Sequence, residues 1–346
     1  MSLIEQVASN EILELAFAWL CKRRGQASHN NDVWILRSRW DETKPQLQRE
    51  LRVGCYKLSP TRRWHIEGEV LEVWSAQDAL VLKAVSIVLE RELHGVLSPR
   101  CFHLAGRGGA KRAVSEVFQA LPKNRFVFRT DVKSYYATID HSCLIELLQK
   151  LVPDADVIAL VAQYIHRTVS DGGIYHDVKK GICLGCSLSP LMGAVYLKPI
   201  DDAMKKSGLF YARFMDDWVI LAPTRWKLRA AIRIVNQCMT SLKVEKHPQK
   251  TFIGLIQRGF DFLGYVLHTN GIRAANKTVK KAIARVRQLY EQGVGITRID
   301  DYVRRWQRWF RSGLTKSIKK TVTFSFPSAI ESDDNQLRQL LASTTG

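Results

Sequence analysis

The stretch Tyr211-Ala-Arg-Phe-Met-Asp-Asp-Trp-Val-Ile-Leu221 sets two adjacent aspartates between two apolar runs, and it constrains the fold more than any other part of the chain. Runs of that length predict a β-hairpin, with YARFM as one strand, WVILA as the other and Asp216-Asp217 at the turn. Desolvating one carboxylate is costly and two side by side repel, so a buried hairpin with that tip needs a strongly positive group opposite it. A divalent cation is the economical choice. Mg²⁺ takes hard oxygen ligands, commonly one or two carboxylates plus substrate phosphates, and the pair therefore suggests half of a two-metal site. A solvated Asp-Asp turn, common in hairpins, is the alternative that these residues alone leave open. A second acidic strand end favours the metal site. Arg125-Phe-Val-Phe-Arg-Thr-Asp131 runs an apolar strand into a carboxylate, followed by Tyr135, Tyr136 and Ile139-Asp140-His141.

Charge points to the partner. The 346 residues carry 52 Lys and Arg against 33 Asp and Glu, a formal net charge of +19. Such an excess favours a polyanion, because basic surface captures nucleic acid through phosphate contacts and counterion release. The sequence lacks an apolar run of about 18 residues and a signal-peptide layout at its start, so it predicts a cytoplasmic protein without a membrane partner. Seven scattered cysteines suit reduced thiols. Cys183-x-x-Cys186 has no second pair or histidine at zinc spacing.

Residues 1–53 read as an N-terminal helical extension, with helices over Ile4–Leu20 and Val33–Leu51. RRWHI, Glu67-Gly68 and EVLEVW read as a hairpin, and Gln77–Leu93 as a helix. Phe102 to Arg112 is a glycine-rich basic loop opening onto a helix over Ala113–Leu121. Its glycines let the backbone approach a polyanion, and Arg107, Lys111 and Arg112 supply charge. Helices follow within 142–169, and from Gly172-Gly173 a turn-rich passage leads to Lys180-Gly-Ile-Cys-Leu-Gly-Cys-Ser-Leu-Ser-Pro190. A helix over Leu191–Ala203 is expected to start at Ser189-Pro190, with Ser as cap and Pro at the first position. Beyond the Asp-Asp hairpin come a helix over Lys227–Leu242, a basic turn VEKHPQKT, strands FIGLIQR and GFDFLGYVL, basic helices over Asn276–Gly313 and a polar tail.

The order TDVKSYY, then G-x-x-x-SP before a helix, then FMDD in a hairpin, then HPQKT, then GFDFLGY resembles motifs A to E of the reverse transcriptases. It is most similar to the bacterial branch of group II intron, retron, diversity-generating and defence-associated enzymes. The resemblance covers roughly residues 50–315 and implies an α+β right-hand polymerase. Its fingers would span 54–125 and its palm 126–270, an antiparallel sheet backed by helices, with 142–188 partly in the fingers. A helical thumb would cover 271–318 and the tail 319–346. Asp131, Asp216 and Asp217 would be the catalytic, metal-ligating carboxylates, with the Val132 carbonyl completing a shell for two Mg²⁺ ions that Mn²⁺ can replace. Lys250 would assist the leaving group, and Tyr136 would be an aromatic gate against the ribose 2′-hydroxyl. Gly185, Ser189 and Pro190 would line the nucleotide, Phe262, Leu263 and Gly264 would form the primer grip, and Lys111, Arg112, Arg304 and Arg305 would contact nucleic acid.

Two departures matter. The family's usual Gln before the motif B glycine is Leu184 here, which removes a polar contact near the templating base and predicts low fidelity. Glu69-Val70 stands where the family keeps its triphosphate arginine, shifting that contact to Arg63 or Arg107. The sequence contains no histidine-asparagine endonuclease segment, so a stand-alone polymerase is expected. It would copy an RNA template into DNA from dNTPs, with a dedicated non-coding RNA and an accessory protein as further partners and antiphage defence or a domesticated retroelement as the setting. A maturase-like RNA-binding protein with a vestigial polymerase, and a template-independent or protein-primed polymerase, are the alternatives.

Overall fold

The computed structural model describes residues 1–66, 69–312, 314 and 322–323. The expected turn at Glu67-Gly68 and, apart from 322–323, the expected tail over 319–346 lie outside them. The protein is an α+β chain of two compact units, each assembled from three stretches: 1–104, 132–203 and 234–246 in the first, 105–131, 204–233 and 247–346 in the second.

The first unit opens with four helices where the sequence predicts two: α1 (Leu3–Val7), α2 (Asn10–Arg23), α3 (Asp32–Ser38) and α4 (Trp40–Val53). The breaks have local causes. Ser2 and Glu5 close a capping box on α1, and the Ser9 hydroxyl accepts the Ile12 N–H at 3.3 Å, starting a new helix where one continuous helix is expected. Strands β1 (Thr61–Ile66) and β2 (Glu69–Val73) form the expected hairpin, with Trp64 opposite Leu71. Helix α5 (Ala76–Glu92) is the hub, with Leu80, Val81, Leu82, Ala84, Val85, Val88 and Leu89 all buried as befits a helix apolar on most sides.

Further along this unit come α7 (Tyr135–Thr138), α8 (His141–Gln149) and α9 (Ala155–Ile165). The Gly172-Gly173 passage is itself a hairpin of β4 (Thr168–Asp171) and β5 (Ile174–Asp177), which joins the sheet by parallel pairing of β4 to β1 in the order β2-β1-β4-β5. Both glycines have positive φ, 60° and 92°, as a two-residue turn matching strand twist demands. The helix expected over Leu191–Ala203 is two helices, α10 (Ser189–Tyr196) and α11 (Lys198–Ser207), with α10 ending at Leu197.

The second unit holds α6 (Gly109–Ala120) and an antiparallel sheet of β3 (Phe126–Thr130), β6 (Phe210–Phe214), β7 (Asp217–Ala222) and β8 (Phe252–Leu255), in the order β6-β7-β3-β8. Helix α12 (Arg225–Ser241) follows β7. A smaller sheet contains β9 (Phe260–Phe262), β10 (Tyr265–His268), β11 (Gly271–Ala274) and β12 (Val322–Thr323). Helices α13 (Asn276–Glu291) and α14 (Ile296–Arg311) pack through Val286, Ile299 and Val303.

Candidate active site

Register places the carboxylates. Phe214 lies opposite Asp217, so the hairpin turn is Met215-Asp216, and Asp217 is the first residue of β7 rather than part of the turn. Met215 takes φ +54°, a left-handed conformation unusual for a side chain with a Cβ. Because opposed residues of an antiparallel pair share a face, Asp217, Val219 and Leu221 of β7 lie on the face of Arg129 and Val127 of β3. Strand alternation carries Asp131, one residue past β3, to that same face.

Each carboxylate has a protein cation near it. Lys250, in a short turn Pro248–Lys250, donates from Nζ to Asp131 Oδ2 at 2.6 Å, and Arg129 Nε donates to Asp217 Oδ1 at 3.4 Å. Arg213 is fully buried on β6 and donates to the Met215 carbonyl at 2.8 Å, bracing the turn that carries Asp216. The His247 N–H donates to the Asp131 carbonyl at 2.8 Å and fixes the loop that delivers Lys250. Burial still dominates. It pushes the Asp217 carboxyl up to about 6 despite Arg129, and it raises Asp216, with the charge of Asp131 adding to the rise.

The donor set accommodates a divalent cation. Asp131 Oδ1 is buried without a hydrogen-bond partner among the described residues, an oxygen with unmet demand for positive charge, and Asp216 is close enough for the two charges to oppose each other. Among the described residues no three His, Cys, Asp or Glu side chains gather closely enough to enclose a metal ion. Two neighbouring carboxylates match Mg²⁺, which completes its octahedron with water and substrate phosphates.

In the first unit the aromatic pair and the SP loop are built together. Tyr135 donates to the Gly193 carbonyl at 2.6 Å, and a Cβ at Gly193 would meet the rings of both Tyr135 and Tyr136 at 3.1 Å. The Ile182 N–H donates to the Tyr136 carbonyl at 2.8 Å, and Gly181 passes so close to the Tyr136 turn that a Cβ there would sit 2.9 Å from three of its backbone atoms. Ser189 does not cap α10. Its hydroxyl donates to the Cys183 carbonyl and shares a 2.7 Å bond with Tyr164, closing the loop, while His103 Nε2 donates to the Pro190 carbonyl at 3.1 Å. Gly185 takes φ +88° at the loop's turn, and Leu184 beside it is 59% exposed. Val132 pairs its backbone with Lys246.

The remaining expected contacts are placed as follows. Arg63 is engaged by Glu72 at 3.1 Å and Asp171 at 3.3 Å, and Arg107 is buried. Lys111 is taken up within the protein: its ammonium donates to Tyr265 Oη and to the Trp309 and Phe310 carbonyls at 2.9 and 2.7 Å, at the C-terminal end of α14. Arg112 pairs with Glu116 at 3.0 Å, Arg304 with Asp300 at 2.5 Å, and Arg305 donates to the Asp301 carbonyl at 3.1 Å. Phe262, Leu263 and Gly264 form the tip of the β9–β10 hairpin, Leu263 and Gly264 both at positive φ, with the Gly264 carbonyl accepting from Thr278 at 3.0 Å. Sequence reasoning missed Arg129 and Arg213. The alternation FVFRTD is a signal for the first, since it sets Arg129 on the face of Asp131, but its partner across the sheet is not visible in a local pattern.

The sequence is similar to those of known proteins. Protein YkfC of Escherichia coli is 24% identical over 271 residues, 64% of this chain and 70% of that protein. The group II intron-encoded protein LtrA of Lactococcus lactis is 24% identical over 167 residues, 46% of this chain and 28% of LtrA. The COX1/OXI3 intron 1 protein of Saccharomyces cerevisiae is 23% identical over 225 residues, and this chain covers only 26% of its length. The model of the family described as reverse transcriptase (RNA-dependent DNA polymerase) matches residues 79–267, more than half of the chain, and the chain belongs to that family.

Proposed function

We propose that this protein is an RNA-directed DNA polymerase that copies an RNA template into DNA, and that Asp131 and Asp216 are the carboxylates that hold its metal ions. The observation that carries the reading is the Asp131 carboxylate, with one oxygen on Lys250 and the other buried without a partner among the described residues. A structural ion pair would satisfy both oxygens, whereas a metal ligand keeps one in reserve. Two Mg²⁺ ions, which Mn²⁺ can replace, would lower the pKa of a primer hydroxyl and neutralise a triphosphate when bound.

The chain's own residues do the rest. Arg129 and Arg213 hold Asp217 and the Met215 turn in place, and Lys250 carries a proton beside Asp131 that it can give to a leaving pyrophosphate. Tyr136, wedged against Gly193, is the gate that admits dNTPs. In this reading the four-stranded sheet β6-β7-β3-β8 is the palm, β2-β1-β4-β5 belongs to the fingers, α13 and α14 form the thumb and the Leu263-Gly264 turn is the primer grip. A dedicated non-coding RNA as template, in a defence setting, is the most specific form of the proposal.

Primer extension on an RNA template with Mg²⁺ and dNTPs tests it, comparing the wild type with Asp216→Ala/Asp217→Ala. Extension by the wild type alone is expected. Absence of extension by either, with tight RNA binding retained, would instead favour a maturase-like RNA-binding protein. Sequencing of co-purified nucleic acid identifies the template.

A further inference from the structure

Helix α12 begins Arg225-Trp-Lys-Leu-Arg-Ala-Ala-Ile-Arg233, and it contains no acidic residue along its whole length. Leu228 and Ala231 are buried, whereas Arg225, Trp226, Lys227, Arg229 and Arg233 are exposed. Arg225, Arg229 and Arg233 follow one another at four-residue steps, a ladder of like charges with about 6 Å of rise between steps. Each such pair weakens a helix, and cations in the first turn also oppose the positive end of the helix dipole. An ordinary solvated helix face mixes signs and places acids in its first turn. This one does the reverse, so a polyanion is the partner that turns its cost into binding energy.

A second observation makes that partner a nucleic acid with unstacked bases. Trp226 is 77% exposed, the most open large ring among the described residues, and the Arg229 guanidinium lies 5.4 Å from its centroid. An open indole with one guanidinium over it is a stacking platform for a base, and Arg225 and Arg233 on the same helix supply further charge for the phosphates. None of these residues belongs to the carboxylate site.

We propose that the N-terminal half of α12 is a binding surface for single-stranded RNA, with a base stacked on Trp226 and the phosphates held by Arg225, Arg229 and Arg233. It holds the RNA through contacts separate from nucleotide addition, and the proposal stands whether or not the polymerase reading does.

The test is fluorescence anisotropy of a labelled uridine homopolymer on the full chain, with excess short unlabelled RNA–DNA hybrid present to occupy any hybrid-binding site. Trp226→Ala should weaken binding about tenfold, and Trp226→Phe should keep most of it. Arg225→Ala/Arg229→Ala/Arg233→Ala should reduce the slope of log K against log salt by about 2, as loss of three phosphate contacts on a single strand requires. Extension of a short primed hybrid should be unchanged in all three variants. Unchanged RNA affinity and unchanged salt slope would overturn the proposal. So would loss of poly-glutamate binding in place of RNA binding, which would assign the surface to an acidic protein segment.

Discussion

Lys250 Nζ stands 2.6 Å from Asp131 Oδ2, while Oδ1 of the same carboxylate is buried with no hydrogen-bond partner among the described residues. The lysine therefore answers half of the aspartate's charge. Lys250→Met should leave Asp131 without its cation and lower the rate of nucleotide addition about a hundredfold, the scale of a lost general acid, whereas Lys250→Arg should retain more of the rate. Single-turnover extension separates this from a binding effect, because the loss belongs in the rate and not in dNTP affinity. Equal rates for Lys250→Met and wild type would remove Lys250 from the chemistry.

Arg129 supports Asp217 across the β3–β7 pair, both side chains less than one-fifth exposed. Breaking a partly buried pair from one side strands a charge, so Arg129→Ala should destabilise the protein by about 1–3 kcal/mol in urea titrations. Removing both charges is milder than removing one. Arg129→Ala/Asp217→Asn should recover most of that stability while remaining inactive, and a double variant as unstable as the single would show that packing of the arginine stem matters more than its charge.

The parts of this site legible in the sequence are the ones with short-range signals. Two apolar runs around Asp216-Asp217 and one ending at Asp131 fix strands because short runs bounded by turn residues have few other solutions. Arg129 is not legible because its role depends on which strands lie side by side, and β3 meets β7 across nearly ninety residues of chain, whereas Arg213 bonds a carbonyl only two residues away but is fully buried, which a charged residue in a strand does not announce. The β4–β5 hairpin was hidden for a different reason: β5 is exposed along its length, so it carries no alternation of apolar and polar residues. Lys111 sits in a glycine-rich basic loop that suggests phosphate, yet its ammonium closes the carbonyl end of α14 and lies 4.4 Å from the Trp309 ring centroid. Local composition cannot separate a cation that meets a ligand from one that meets a distant helix end.

Leu184 presents an apolar side chain, 59% exposed, beside the Gly185 turn. If that turn lies against the templating base, the side chain offers shape without a hydrogen bond. Leu184→Gln should then lower misincorporation, most visibly opposite template adenine and guanine, with little change in stability because the position is exposed. Error spectra from sequenced products decide it, and identical spectra would detach Leu184 from fidelity.

Asp140 caps α8 through the Cys143 N–H at 3.1 Å and accepts from Lys243 at 2.8 Å. The Lys243 hydrogen bond, then that of Cys143, hold its carboxyl down at about 2. A depressed carboxylate stabilises the folded state above its unfolded value near 4 and loses that contribution as pH falls through the folded value. Stability should therefore drop between about pH 4 and pH 2 by an amount that Asp140→Asn removes. Asp140→Ala should cost about 1 kcal/mol at neutral pH, the ordinary price of a lost cap. Urea midpoints measured across that range for the wild type and the Asn variant are the check, and parallel curves would mean that the acid-sensitive carboxylates lie elsewhere.

Tyr136 owes its position to the absence of a side chain at Gly193, since a Cβ there would meet the Tyr135 and Tyr136 rings at 3.1 Å. That distance is too short for ordinary contact, and Tyr135 cannot yield easily because it is buried and donates to the Gly193 carbonyl at 2.6 Å. Tyr136 is less buried, so it is the ring that moves. Gly193→Ala should displace it by a few tenths of an ångström, a shift on the scale at which active-site geometry is felt. If Tyr136 is the gate against ribose, Tyr136→Ala should admit rNTPs freely, and Gly193→Ala should change the dNTP to rNTP ratio while leaving extension with dNTPs largely intact. A structural role for Tyr136 makes the opposite forecast: both substitutions would lower stability together and extension with either sugar equally. Competition between dNTP and rNTP in single-nucleotide addition, read alongside the melting temperature, tells the two apart.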